Sequence, residues 1–245
     1  MKPPKVIENI NTIQAAGLIS WQQLHTGNSN INYQVTTKQG DWAIRINQPN
    51  PGVDRQLEAQ ILQLITPLNI APKIIENNPH EGYLITEYIK ADMWLSSDFE
   101  QAKYINTLNE CLDQFHQLTF IHPKSRLDQR LKHYLKKLPG IPTKLKTELL
   151  SAIEQLDHLG FWHACNTLYH SDLNPSNILG HQHITLLDWE FAGQGHPLLD
   201  WLIMEQESQV DLSDYYPCSG LNEKWIAPAK LMIQSMMKLW SFHTV

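Results

Sequence analysis

A chain of 245 residues, 42% hydrophobic and 18% charged, has the make-up of an ordinary globular protein, long enough for one large domain or two lobes. Its 19 basic and 25 acidic residues leave a net charge of −6 with no basic run or stripe, which argues against nucleic acid as a main partner. The three cysteines (Cys111, Cys165, Cys218) are odd in number and widely spaced, so neither a disulfide framework nor a zinc site is expected and a reducing compartment fits best.

No run approaches the ~18 apolar residues of a membrane span, and Met1 to Val6 lacks the apolar segment of a signal peptide. The expectation is a cytoplasmic protein with no membrane partner. Nothing in the pattern fixes an oligomeric state.

In chain order, Ile7 to Ala16 reads as a short polar helix. Gly27 interrupts an extended pattern, after which Ile31, Tyr33 and Val35 alternate as a half-buried strand does. Gly40-Asp41 is a turn, and Trp42 to Ile46 completes a β-hairpin. Asp54 to Ile65 is an amphipathic helix with Leu57, Ile61, Leu64 and Ile65 as its stripe, ended by Thr66-Pro67. Glu58 adjoins that stripe and is placed to face inward. Ile70 to Ile75 and Gly82 to Ile89 read as two further strands.

From Asp98 the pattern turns helical. Ile105, Leu108, Leu112, Phe115 and Leu118 recur at three and four residues, with His116 as a packed or capping histidine. Leu145 to Leu156 is a second helix, with Leu149, Leu150, Ile153 and Leu156 inward. Lys224 to Phe242 is a terminal helix rich in Leu, Ile, Met and Trp.

Between these helices lies the stretch with the most chemistry, Leu168-Tyr-His-Ser-Asp-Leu-Asn-Pro-Ser-Asn-Ile-Leu179. His170, Asp172 and Asn177 are polar residues set between apolar runs, and Asn174-Pro175-Ser176 is a turn signal. Ile184 to Leu187 then forms a short β-prone run ending on Asp188. Strand, polar loop and strand bring Asp172, Asn177 and Asp188 towards one end of a hairpin-like unit. Phosphoryl transfer needs such a set: a carboxylate to take a hydroxyl proton, plus an amide oxygen and a second carboxylate as hard ligands for Mg2+.

The spacing His-x-Asp-x4-Asn, with Asp188-Trp-Glu190 following, resembles the aminoglycoside phosphotransferase and choline kinase superfamily, closest to bacterial thiamine and choline/ethanolamine kinases. Protein kinases carry His-Arg-Asp and Asp-Phe-Gly at these places. The resemblance implies an α+β, bilobal, protein-kinase-like fold. A small antiparallel β lobe (1–89) would bind nucleotide, a larger helical lobe (90–245) would carry catalysis and the substrate, and the cleft between them would be the site.

It also implies an ATP- and Mg2+-dependent phosphotransferase acting on a small-molecule alcohol, with Asp172 as the catalytic base and Asn177 and Asp188 as metal ligands. Gly27-Asn28-Ser29-Asn30 resembles the nucleotide loop of choline and thiamine kinases, in which Ser/Thr-Asn replaces most glycines. Arg45 stands where kinases carry the phosphate-binding lysine, and an arginine fork suits phosphate. Glu58 would hold Arg45 as the helix glutamate of kinases holds the strand lysine. Glu87, Tyr88 and Ile89 fall at the hinge that reads adenine through the main chain. Gly193-Gln-Gly-His-Pro-Leu-Leu-Asp200 resembles the element in which Asp200 braces the catalytic loop, and His170 would hydrogen-bond backbone around that loop.

For the acceptor, Glu190, Trp189 and Trp201 supply an acid and aromatics able to hold a cationic alcohol such as thiamine, choline or ethanolamine. An aminoglycoside ranks behind these. A non-catalytic nucleotide-binding regulatory module is the alternative from another class, against which the intact Asp172, Asn177, Asp188 and Glu58 argue. The crowd of His163, His170, His181, His183 and His196 has no His-x3-His helix pair and is not read as a metal centre.

Overall fold

The structure, a computed structural model, describes residues 4–24, 30–50 and 52–241. The chain divides into two compact units, Met1–Ala91 and Asp92–Val245.

The first unit opens with α1 (Lys5–Glu8) and α2 (Asn11–Ala16), two short helices where one was expected. Strands β1 (Leu18–Gln23), β2 (Asn30–Thr37) and β3 (Gly40–Asn47) follow, then α3 (Arg55–Ile65), β4 (Ile74–Asn78) and β5 (Tyr83–Glu87). The strands form one antiparallel sheet in the order β1-β2-β3-β5-β4. Tyr33 and Val35 of β2, Trp42 and Ile44 of β3, and Ile85 of β5 pack with Ile7, Ile10, Ile13 and Ala16 of the leading helices. Because strand side chains alternate, Arg45 faces away from that core. Its bond to Glu58 puts α3 on the sheet's other face.

Three expectations are corrected here. The strand expected at Ile70 begins at Ile74, since Pro72 has no N–H to give a ladder. The edge strand β1 was not foreseen; its burial pattern lacks alternation. On α3, Leu64 is 40% exposed and Leu62 is buried in its place. The inward face is rotated towards Glu58, itself 3% exposed, because the helix must present that carboxylate to its partners.

The second unit contains α4 (Ala102–His116), α5 (Leu127–Lys137), α6 (Thr143–His158) and α7 (Phe161–Ala164). Four short strands follow, β6 (Thr167–Tyr169), β7 (Ile178–Leu179), β8 (Thr185–Leu186) and β9 (Gly193–Gly195), and then α8 (Leu198–Ser208) and α9 (Ile226–Ser241). β6 pairs with β9 and β7 with β8, both antiparallel. α9 packs on α6 and α8. Helix α5 was not anticipated. On α6, Leu150 is 37% exposed; Leu145, Leu149, Ala152, Ile153 and Leu156 make the buried stripe. Among the described residues no helix is long and apolar enough to cross a membrane.

Candidate active site

In the second unit, β6 ends at Tyr169 and hands the chain to His170, Ser171 and Asp172. Asn174 then caps a tight helical turn, its Oδ1 accepting the Ser176 N–H at 3.0 Å, and Asn177 closes that turn. The Asn177 carbonyl accepts the Leu187 N–H at 2.8 Å, which ties the end of the loop to the residue before Asp188. β9 then returns beside β6. Two small ladders thus bring His170–Asn177 and Asp188–Glu190 together, as the sequence pattern anticipates.

The side chains are oriented by one another. Asn177 donates its amide to the Asp172 carbonyl at 2.8 Å and to Asp172 Oδ2 at 3.0 Å. Asn174 Nδ2 lies 3.4 Å from Asp172 Oδ1. With its nitrogen committed, Asn177 has its amide oxygen, a hard donor, left to face a ligand. The Asp172 carboxyl is pushed well above the ordinary carboxylate range, first by burial and then by the negative charge of Asp188. Asp188 itself has φ 57, a left-handed conformation that a non-glycine residue adopts only when its surroundings hold it there. A half-buried acid beside a second half-buried acid and an amide oxygen is a set of hard oxygen donors of the kind that Mg2+ would take. Among the described residues no group of three or more His, Cys, Asp or Glu side chains is placed to hold a metal unaided.

Supporting groups surround this set. Asp200 is fully buried and accepts the backbone N–H groups of His170 and Ser171 at 2.9 and 2.8 Å, and His116 Nε2 lies 2.9 Å from it. His170 Nε2 lies 2.9 Å from the Leu187 carbonyl, and its Nδ1 accepts the Asp172 N–H at 3.3 Å. A nitrogen facing a carbonyl must donate, so the ring is the neutral Nε2–H tautomer. Burial holds its pKa down to about 4, against the opposing pull of Asp200 and the Leu187 carbonyl. Arg130 of α5 donates to the Phe191 carbonyl at 2.5 Å and lies 3.4 Å from Ser171 Oγ, joining the two loops from outside.

The aromatic acceptor face expected from sequence is corrected. Trp189 is 2% exposed, donates Nε1–H to the Leu186 carbonyl at 3.1 Å and packs against His170 and Phe115. Trp201 is likewise 2% exposed and stacks on Tyr215. Both indoles are core side chains, because burying so large an apolar surface outweighs leaving it open to a ligand. Glu190 is also buried, yet its charge bears on Asp172, as does that of Glu207 on α8, which the sequence reading passed over. The expected histidine crowd is dispersed: His196 is buried and His181 stacks on Trp94.

In the first unit, Arg45 Nη2 donates to Glu58 Oε2 at 2.7 Å, and Arg45 Nε donates to Asn47 Oδ1 at 3.1 Å. The inward-facing glutamate and the strand arginine are therefore paired. Arg55, which sequence reading left as an ordinary helix residue, joins them: its Nη1 donates to Glu58 Oε2 at 3.0 Å and its Nη2 to Asn30 Oδ1 at 2.8 Å. The i, i+3 spacing of Arg55 and Glu58 at the start of a helix was the available signal. Gly27, Asn28 and Ser29 lie outside the described residues. Glu87 ends β5, its N–H donating to the Lys73 carbonyl at 2.9 Å and its side chain paired with Lys73; Tyr88 N–H donates to the Asp41 carbonyl at 3.0 Å. Ile89 follows, partly buried.

An antiparallel five-stranded unit carrying a buried Arg–Glu pair, and a helical unit carrying Asp, Asn and Asp on linked loops, define a kinase-like phosphotransferase. The chain belongs to the phosphotransferase enzyme family, whose sequence model matches residues 20–205. No curated protein matches it in sequence. Among solved structures, choline kinase LicA from Streptococcus pneumoniae is similar in fold, with a TM-score of 0.76 at 19% identity over 97% of this chain and 89% of that one. LicA in complex with AMP gives 0.72 at 20% identity over 93% and 84%. The GDP complex of aminoglycoside 2'-phosphotransferase-IIIa gives 0.68 at 15% identity over 96% and 89%.

Proposed function

We propose that this protein is an ATP-dependent kinase that moves the γ-phosphoryl group onto the hydroxyl of a small cationic alcohol of the choline, ethanolamine or thiamine kind. The observation that carries the reading is the state of Asp172. Its carboxylate is oriented by Asn177, faces the charge of Asp188, and has a pKa raised by burial and by that charge. A base poised in this way suits abstraction of an alcohol proton, and little other covalent chemistry is required for phosphoryl transfer.

The roles follow. Asp172 orients the acceptor hydroxyl and takes its proton as the phosphoryl group leaves. Asn177 and Asp188 are the residues that would hold Mg2+, which supplies charge neutralisation at the phosphate oxygens when bound. Arg45, kept in place by Glu58, binds phosphate with its fork, and the backbone of Gly27, Asn28, Ser29 and Asn30 contributes N–H donors to it. Glu87 and Ile89 read adenine through main-chain groups. The solved complex of LicA with AMP supports a nucleotide ligand for this fold. A cationic acceptor is favoured because the charges of Asp188, Glu207 and Glu190 all bear on Asp172, so the field around the reacting hydroxyl is negative.

Mg·ATP consumption across thiamine, choline, ethanolamine, aminoglycosides and small sugars tests the reading. Stimulation by one of the cationic alcohols names the acceptor. Stimulation by sugars alone, or none across the panel by protein that binds ATP, removes it.

A further inference from the structure

Two loops carry the candidate chemistry, and one side chain from a helix outside them bonds to both. Arg130 Nη1 donates at 2.5 Å to the carbonyl of Phe191, which follows Asp188-Trp-Glu190, and lies 3.4 Å from Oγ of Ser171, the residue before Asp172. Its guanidinium also sits over the Phe191 ring, 5.1 Å from the centroid, and that ring stacks on Trp240 of α9. Ahead of Asp188 the loops are already joined: the Leu187 N–H donates to the Asn177 carbonyl, and His170 Nε2 donates to the Leu187 carbonyl. Arg130 supplies a tie on the far side, so the segment carrying Asp188 is held at both ends.

Helix α5 has no need of this side chain in order to form. Its buried stripe is Leu127, Leu131, Tyr134 and Leu135. Arg126, a turn before Arg130, gives its fork to the buried Asp128 at 2.6 and 3.1 Å and lies over the Trp162 ring. These contacts fix the helix and leave Arg130 to reach the loops.

As a packing residue Arg130 is a costly choice. Its Nε and Nη2 are buried with no hydrogen-bond partner among the described residues, and a buried donor left unmatched costs stability. An uncharged side chain of similar length would fill the space without that cost. A local rule broken beside a reactive group points to a task outside folding. In-line phosphoryl transfer depends on holding the attacking oxygen and the metal-bound phosphate in one geometry, and small displacements of the groups that do so are costly in rate.

We propose that Arg130 is a positioning residue for phosphoryl transfer: by bonding to the loop of Asp172 and the loop of Asp188 at once, it sets the base against the metal-binding carboxylate. This rests on the kinase reading above. Arg130 acts through placement, since what shifts the Asp172 carboxyl is burial together with Asp188, Asn174, Glu207 and Glu190.

The test compares the full chain as wild type, Arg130→Met and Arg130→Lys, each shown by its melting curve to be folded at the assay temperature. Arg130→Met keeps the length of the side chain and loses its donors; Arg130→Lys keeps the charge and one donor group. At saturating Mg·ATP, kcat falls tenfold or more in Arg130→Met and at least threefold in Arg130→Lys, and the kcat–pH profile keeps its position. Calorimetry gives a readout free of turnover. The affinity for ATP without Mg2+ is unchanged in Arg130→Met, while the factor by which Mg2+ tightens ATP binding shrinks at least threefold. A smaller loss of kcat, a shifted pH profile or an unchanged Mg2+ factor overturns the proposal. Should Arg130→Met not fold, Arg130→Lys decides by its kcat; two unfolded variants also overturn the proposal, as they make Arg130 part of the fold. The kinase reading fails separately: a wild type that phosphorylates no alcohol sinks it, and this proposal then stands or falls on the Mg2+ factor. A wild type that neither phosphorylates an alcohol nor binds ATP more tightly with Mg2+ overturns both.

Discussion

Asp200 Oδ1 accepts the backbone N–H of Ser171 at 2.8 Å and holds that residue at φ 73, a left-handed conformation, one position before Asp172. Of the four non-glycine residues with positive φ among those described, Asn69 and Gln209 end helical turns, where the conformation is common. The other two are Ser171, which precedes the candidate base, and Asp188, itself a candidate metal ligand. Strain of this kind costs about 1–3 kcal/mol per residue and persists only where neighbours enforce it. Asp200 is that neighbour for Ser171.

Replacing Asp200 should therefore affect both stability and turnover. Asp200→Ala leaves the N–H groups of His170 and Ser171 buried without an acceptor and is expected to cost about 3 kcal/mol or more. Asp200→Asn preserves size but sets an amide donor against one of those N–H groups. It should melt lower and lose at least tenfold in kcat, with KM for ATP little changed. Thermal melts and steady-state kinetics read both; an Asn variant with wild-type kcat would show that the loop keeps its shape unaided.

Asp172→Asn keeps the size of the base and removes its proton affinity, at the cost of turning one of the two oxygens that face the amides of Asn177 and Asn174 into a donor. A general base contributes about 10²–10⁴-fold, so kcat should fall by that factor while ATP binding, measured by titration, stays within a few-fold. Retention of most of the activity would remove Asp172 from the role assigned to it.

The loops of the second unit were legible because polar residues at fixed spacing between apolar runs leave few alternatives, and the ladders β6–β9 and β7–β8 realise that spacing. The Arg45–Glu58 pair was legible for the same reason, as an inward acid on a helix beside a lone cation on a strand. Trp189 and Trp201 were misplaced because an indole next to a site reads the same in sequence whether it faces ligand or core. Their ring partners, Phe115 and Tyr215, come from tertiary packing. Arg130 and Glu207 were missed because α5 and α8 reach the loops through space, and no local pattern encodes that approach.

Gly195 is set by close packing. A Cβ built on it would lie 2.4 Å from the Tyr169 ring, which is itself fully buried on the strand that delivers His170. Neither the ring nor the strand has room to yield. Gly195→Ala should destabilise by about 1–3 kcal/mol, typical of overpacking, and should lower kcat as β6 shifts. Gly220→Ala is the control for crowding: nothing lies within 4 Å of its added Cβ, so any loss there reports its positive φ alone. Equal melting temperatures for Gly195→Ala and wild type would refute the packing argument.

Acid should unfold the second unit through two histidines. Burial holds His170 and His196 each at about 4, below the ordinary value of 6.5. Each ring accepts a backbone N–H through Nδ1, from Asp172 and Leu198 respectively, and protonation destroys that acceptor. For a base whose folded pKa is depressed, the unfolded chain binds more protons between the two values. The stability tied to neutrality is therefore complete above pH 6.5, is lost as pH falls from 6.5 to 4, and levels off below that. Each group accounts for about 3 kcal/mol over that window. Urea denaturation at a series of pH values should show the slope, and His196→Gln should roughly halve it, since Gln offers an acceptor without titrating and His170 remains. A slope unchanged in that variant would assign the acid sensitivity to other groups.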